Sequence, residues 1–115
     1  MTNTENFETI SLELRRGVIV LAVLSLLGEE QYGYSLLKLL SDQGLEVDQG
    51  TLYPLLRRLE GQGWLRSVWK IETARPRRYY VISPLGRKFL PDLKKEWNGI
   101  VSVMDRILSD KKERE

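Results

Sequence analysis

The side chains that most often carry chemistry are missing from this sequence: its 115 residues include no His and no Cys. That removes the Ser-His-Asp triad, the thiolate nucleophile and every metal site built on imidazole or thiolate. No disulfide can form, and the redox compartment leaves no trace. The ionisable groups that remain are Asp, Glu, Lys, Arg and Tyr. No spacing among them suggests paired carboxylates in one site or a Gly-rich phosphate loop. An enzyme is therefore set aside as a reading, and no cofactor or metal is expected. The pattern that does stand out is basic. Residues 57–88 carry Arg57, Arg58, Arg66, Lys70, Arg75, Arg77, Arg78, Arg87 and Lys88 against Glu60 and Glu72, a balance of +7. Residues 1–56 balance at −5 and residues 89–115 at zero, so the net charge of +2 conceals a segregation. A local excess of this kind is the electrostatic footprint of a polyanion partner. Seven of the nine cations are Arg, the side chain suited to bidentate phosphate and guanine contacts.

Elements must position those cations, and the apolar pattern supplies them. Hydrophobic residues make up 42% and charged residues 30% of the chain, an ordinary globular composition. The length fits one domain, or a small domain with a dimerisation element. Residues 1–10 read as a flexible N-terminus. A first helix is predicted from about Ser11 to Leu27, ending at Gly28. Its most apolar run, Val18 to Leu27, is about half the ~20 residues a membrane-spanning helix needs, so a cytoplasmic protein is expected, on the nucleoid when bound to DNA. Glu29 to Tyr32 reads as a loop. A second helix follows with Leu36, Leu37, Leu39 and Leu40 on a broad face and Gly44 at its C-terminal cap. Asp48 is the expected N-cap of a third helix reaching Gln62, in which Leu52, Leu55, Leu56 and Leu59 form an i, i+3, i+4, i+7 stripe.

The period then changes. Trp64 to Ile71 and Arg78 to Ile82 are rich in aromatic and β-branched residues, which predicts an antiparallel hairpin with Glu72 to Arg77 as its tip. Ser83-Pro84 starts a final helix. In it Leu90, Leu93, Trp97, Ile100, Met104 and Ile107 recur at spacings of 3 and 4, a heptad seam suited to dimerisation. Pro91 should kink or break that helix. Residues 109–115 read as a flexible tail. The fold class is thus mainly α with a β-hairpin (α+β): a winged helix-turn-helix over 11–83 and a long C-terminal dimerisation helix over 84–108.

In that arrangement the third helix enters the major groove and the hairpin is the wing. Gly50, Thr51, Tyr53, Arg57 and Arg58 then fall on or near the surface of the reading helix. Arg75, Arg77 and Arg78 fall on the wing, where they would straddle a phosphate backbone or enter the minor groove. Tyr34, at the start of the second helix, can give its hydroxyl to a phosphate. Tyr79 and Tyr80 alternate, so one packs inward and the other faces out toward DNA, with Tyr79 as the candidate contact. Each has a plainer alternative. Tyr53 can equally be an aromatic at the core edge, Arg57 and Arg58 can pair with Glu60 or Glu46, and the whole module can bind an acidic protein without reading DNA sequence.

Four segments also resemble a known family. Gly50-Thr51-Leu52-Tyr53-Pro54 followed by Leu56-Arg57-Arg58-Leu59-Glu60 is similar to the recognition-helix signature of PadR-like transcriptional regulators. Arg16-Gly17, Tyr32-Gly33-Tyr34 and Arg75-Pro76-Arg77-Arg78-Tyr79-Tyr80 agree with it in order, and together the similarity spans about residues 12–108. The resemblance implies a homodimer, with the last helix packed on the partner's first helix, and a repressor acting on double-stranded DNA at a pseudo-palindromic operator. It also implies a possible role for Trp97, which either fills the dimer core or stacks a small planar aromatic effector. Val101, Met104, Leu14 and Val18 would line that pocket.

Overall fold

A computed structural model describes residues 2–109. The element order is α1 (Asn3–Leu26), β1 (Gln31–Tyr32), α2 (Gly33–Asp42), α3 (Gln49–Gly61), β2 (Leu65–Glu72), β3 (Arg75–Ile82) and α4 (Pro84–Ile107). Helix α1 begins at Asn3 rather than near Ser11. Thr2 caps it, its side chain accepting from the Glu5 N–H at 3.0 Å, so the polar N-terminus is a helical extension and not a frayed end. The tail expected from residue 110 onward lies outside the described residues.

Four helix ends are fixed by local chemistry that the sequence states openly. Asp48 caps α3 by accepting from the Thr51 N–H at 3.0 Å. Helices α2 and α3 each close on a glycine with positive φ, Gly44 (95°) and Gly63 (90°). In both, the residue after the glycine donates back to the last turn, Leu45 to the Leu40 carbonyl and Trp64 to the Leu59 carbonyl, which is the Schellman pattern. Ser83 does two things at once. Its hydroxyl accepts from the Gly86 N–H at 3.0 Å to cap α4 and donates to the Gly63 carbonyl at 2.6 Å.

Leu52, Leu55, Leu56 and Leu59 of α3 are buried with Ile19, Val23 and Leu24 of α1, Leu36 and Leu40 of α2, and Leu65, Tyr80 and Ile82 of the sheet. This is the expected core, and Pro54 sits early enough in α3 to free no buried group: the carbonyl that loses its partner belongs to exposed Gly50. The sheet has three antiparallel strands in the order β1-β3-β2. Strand β1, read in the sequence as loop, pairs Gln31 with Tyr80 and Tyr32 with Tyr79.

The hairpin differs from the sequence expectation at its tip. Strands β2 and β3 pair in full register from Leu65↔Ile82 to Glu72↔Arg75, leaving a two-residue turn, Thr73-Ala74, with φ of 47° and 63°. Arg75, Pro76 and Arg77 therefore lie in β3 rather than in a loop. Pro76 is tolerated there because β3 has a neighbour on one side only at that point. Helix α4 also departs from expectation, running through Pro91 without a break.

Its place in the molecule is unusual. Every residue from 91 to 108 is exposed. With a radius of gyration of 17.1 Å, against about 13 Å for a compact chain of this length, the protomer is drawn out along its terminal helices. Among the described residues, no helix is long and apolar enough to cross a membrane.

Candidate nucleic-acid interface

The buried leucine stripe of α3 turns the rest of that helix outward, and its remaining side chains divide between two directions. Tyr53 and Arg57 face the wing. With Tyr34, Arg77 and Arg78 they line one concavity of about 300 Å³, whose walls also include Tyr32, Gly33, Leu56, Trp69 and Tyr80. Thr51 and Arg58 face the other way, toward Arg16, Gly17 and Val20 of α1. Adjacent residues on a helix are separated by about 100°, so Arg57 and Arg58 do not share a surface. Gly50 is exposed at the first turn of α3. The structure thus brings together five of the ten sequence-predicted interface residues and separates the others.

Close packing sets Tyr53. A Cβ built on Gly33 would lie 2.5 Å from Tyr53 Cε1 and 2.9 Å from Cζ, closer than side chains approach, so the glycine lets the start of α2 meet the phenol ring directly. The Tyr32 ring stands 6.5 Å from Tyr34 and edge-on to Tyr79 at 5.5 Å. Tyr53 is half-buried in this arrangement, so it is both a core-edge aromatic and part of the concave surface.

Charge is distributed less simply than the +7 suggests. The Arg78 guanidinium donates to Glu60 Oε1 at 2.6 Å and to Ser67 Oγ at 3.0 Å, while Ser67 donates to Glu60 Oε2 at 2.5 Å. This closed triangle joins α3, β2 and β3 and holds the wing against the reading helix. Arg77 lies 3.7 Å from Glu72 and 4.5 Å over the Tyr32 ring. Lys70 is paired with Glu30, which raises its pKa above the ordinary 10.5. Tyr79 donates to Glu72 Oε1 at 2.6 Å, and that bond pushes the phenol above its ordinary 10.0. Tyr80 is the inward tyrosine of the pair and Tyr79 lies on the opposite face. Among the described residues, no carboxylate pairs with Arg57, Arg58, Arg66 or Arg75. Glu60 and Glu46, the alternatives for Arg57 and Arg58, are engaged by Arg78 and by Ser41.

A second constellation lies between α1 and α4. Leu14, Val18, Trp97, Val101 and Met104 line one open apolar groove of about 580 Å³, with Gly17, Leu21, Leu93 and Ile100. Leu93, Trp97, Ile100, Met104 and Ile107 are all exposed in the protomer, and so is Leu14 at 77%. Leu90 is the correction in the heptad. It packs on the protomer's own core, because α4 is still passing over the sheet at that turn.

Sequence reasoning missed Tyr32, Gly33 and Trp69 as parts of the concave surface. Tyr32 and Gly33 carried no periodic signal. Trp69 did, since strand alternation places it on the same face as Tyr80 across the pairing Trp69↔Arg78.

Three helices, a two-stranded wing joined to the last of them and a cluster of arginine and tyrosine between the two define a winged helix-turn-helix protein. Comparison with known proteins gives the family. Residues 20–92 match the model of the transcriptional regulator PadR-like family. The chain is 38% identical over 81 residues to the transcriptional regulator Rv3488 of Mycobacterium tuberculosis, covering 70% of this chain and 76% of that one. Among solved structures, a PadR family transcriptional regulator from Eggerthella lenta aligns with a TM-score of 0.82 at 40% identity, over 92% of this chain and 95% of its own. A transcriptional regulator from Clostridium thermocellum aligns with a TM-score of 0.75 at 30% identity, over 84% and 99%. The chain belongs to the PadR-like family: it is a DNA-binding transcriptional regulator and not an enzyme.

Proposed function

We propose that this regulator is a homodimeric repressor, bound to a pseudo-palindromic operator and released when a small planar aromatic molecule enters the groove between α1 and α4. The observation that carries this reading is the unfinished apolar face of α4. Its seam from Leu93 to Ile107 is exposed along its length, and single chains seldom leave a contiguous apolar stripe in water. A second copy covering it would pair two reading helices about one helical turn of DNA apart and so favour a palindromic site. Trp97, 39% exposed on this face, is available to stack a planar ring, and Met104 beside it is flexible and polarizable.

Tryptophan fluorescence tests the effector. With Trp64 and Trp69 changed to Phe, Trp97 is the remaining reporter, and planar aromatic compounds should quench or shift its emission at the concentrations that release operator DNA. Release without any change in that emission would place the effector elsewhere. Operator affinity should also fall with salt at a log–log slope of roughly −0.9 per phosphate neutralised. A flat dependence would mean that Arg57 and its neighbours do not meet the backbone.

A further inference from the structure

Arg78 stands where a contact to DNA is expected, yet its guanidinium is engaged within the chain. It donates through Nη2 to Glu60 Oε1 at 2.6 Å and through Nε to Ser67 Oγ at 3.0 Å. The same group lies 5.8 Å from the centre of the Trp69 ring and 5.3 Å from that of Tyr80. Glu60 accepts a second hydrogen bond, from Ser67 at 2.5 Å. The Arg78 side chain is 35% and the Glu60 side chain 27% exposed. A guanidinium so placed cannot turn to a phosphate without leaving a largely covered carboxylate unpaired, which is costly.

The place of Glu60 on its helix gives this triangle leverage. Tyr53, Arg57 and Glu60 follow one another at i, i+4 and i+7 of α3, so the carboxylate extends from the face that turns Tyr53 and Arg57 toward the hairpin. Among the described residues, the hydrogen bonds from α3 side chains to the hairpin are the two that Glu60 makes, with Ser67 and with Arg78. At its root the hairpin follows the Gly61-Gln62-Gly63 segment and is anchored by buried Leu65 and Ile82. Beyond the triangle, residues 68–71 of β2 are exposed. The triangle is thus the outermost tie between the reading helix and the hairpin.

We propose that Glu60 and Arg78 are positioning residues for sequence recognition. Neither touches DNA. The neutral pair fixes the hairpin at one distance from Tyr53 and Arg57, and a duplex must match that distance in its groove geometry to meet both elements at once. The inference rests on the DNA-binding reading. It assigns to this pair the discrimination between sequences and leaves the attraction to phosphate with the unpaired arginines.

The test uses full-length protein, a duplex selected from genomic fragments by the unmodified chain, and a random duplex. The ratio of selected to random affinity should fall about tenfold in Glu60→Gln, in Arg78→Met and in the two combined, the scale of one charge-assisted hydrogen bond counted once. The sign for Glu60→Gln is the discriminating one. Removing a carboxylate beside DNA and releasing an arginine would by simple electrostatics tighten binding to every duplex. The combined variant keeps the net charge of the chain, so its salt slope should match that of the unmodified protein.

Circular dichroism establishes that each variant is folded. Should a charge variant fail to fold, Ser67→Ala takes its place, with a fall of about threefold in the ratio expected from losing one neutral hydrogen bond and an unchanged ratio overturning the proposal. A ratio that fell only when Arg78 was changed would make Arg78 a direct contact and overturn the positioning role. So would tighter binding of the selected duplex by Glu60→Gln, or a ratio kept within about twofold by all three variants. Losses that multiplied in the combined variant would also overturn it, because the two residues would then act separately. If the unmodified chain selected no duplex at all, the failure would lie in the DNA-binding reading and would be seen before any variant was measured.

Discussion

Helices α3 and α4 carry apolar stripes of nearly the same spacing and meet opposite fates. In α3, Leu52, Leu55, Leu56 and Leu59 are all buried. In α4, Leu93, Trp97, Ile100, Met104 and Ile107 all stay in contact with solvent. The difference arises where each helix lies. Helix α3 is enclosed by α1, α2 and the sheet, whereas α4 leaves the core one turn after Gly86 and Leu90. A periodic stripe therefore states that a face is to be covered, and only the position of the helix says whether its own chain or a second one covers it.

Substitutions can break that contrast, beginning with the strongest. Leu56→Ala should cost about 2–5 kcal/mol of folding stability, read as a lowered urea midpoint at matched protein concentration. Ile100→Asp should leave the winged helix folded but sediment as a monomer. It should lose roughly a hundredfold in operator affinity, since the second half-site no longer gains from being tethered to the first. If Ile100→Asp still sedimented as a dimer, the seam would not be the interface, and the contrast between the helices would fail.

Smaller effects sharpen the picture. Arg57→Ala should cost about 1–3 kcal/mol on operator and less on random duplex if it reads a guanine, and Arg58→Ala, turned toward α1, should cost less on both. Replacing Thr73-Ala74 with Asn-Gly should raise stability by roughly 0.5–1 kcal/mol, because Thr and Ala occupy positive φ that Asn and Gly adopt with less strain. The smallest expected effect separates the two helix starts by pH. The Thr51 hydrogen bond holds the Asp48 carboxyl below its ordinary 3.8. Its folded value lies below its unfolded one, so the stabilisation is complete above the unfolded value and fades as pH falls through the folded value. Asp48→Asn should flatten that acid limb in urea titrations. The Ser83 cap of α4 does not titrate and should show no such limb.

Much of the fold was legible because its signals are local. Asp48, Ser83-Pro84, Gly44 and the α3 leucines each act within one or two turns, and each is found where its chemistry requires. Even the start of α1 was written in the sequence, as Thr2-Asn3-Thr4-Glu5, the capping pattern of Thr followed three residues later by Glu. It was obscured by a run of polar residues without a core to face. Strand β1 could not be read, since two residues have no period and exist as a strand only through Tyr79 and Tyr80. The turn was misplaced because Thr-Ala carries none of the Asn-Gly signal of a two-residue hairpin. In the site, arginine content was legible but charge was not. Glu60 reaches Arg78 and Glu30 reaches Lys70 across long stretches of chain, so the effective cations are fewer than the sequence counts.

The double role of Ser83 has a mechanical consequence. One hydroxyl joins the chain just past the reading helix to the first turn of α4, which ties the two together at one end. A helix of 24 residues is about 36 Å long, and a tilt of about 5° at the far end sweeps roughly 3 Å, close to the 3.4 Å step between bases on one strand. If two copies pair through α4 as proposed, a small rotation between those helices would be magnified into a shift of register on DNA, with no rearrangement inside either winged helix.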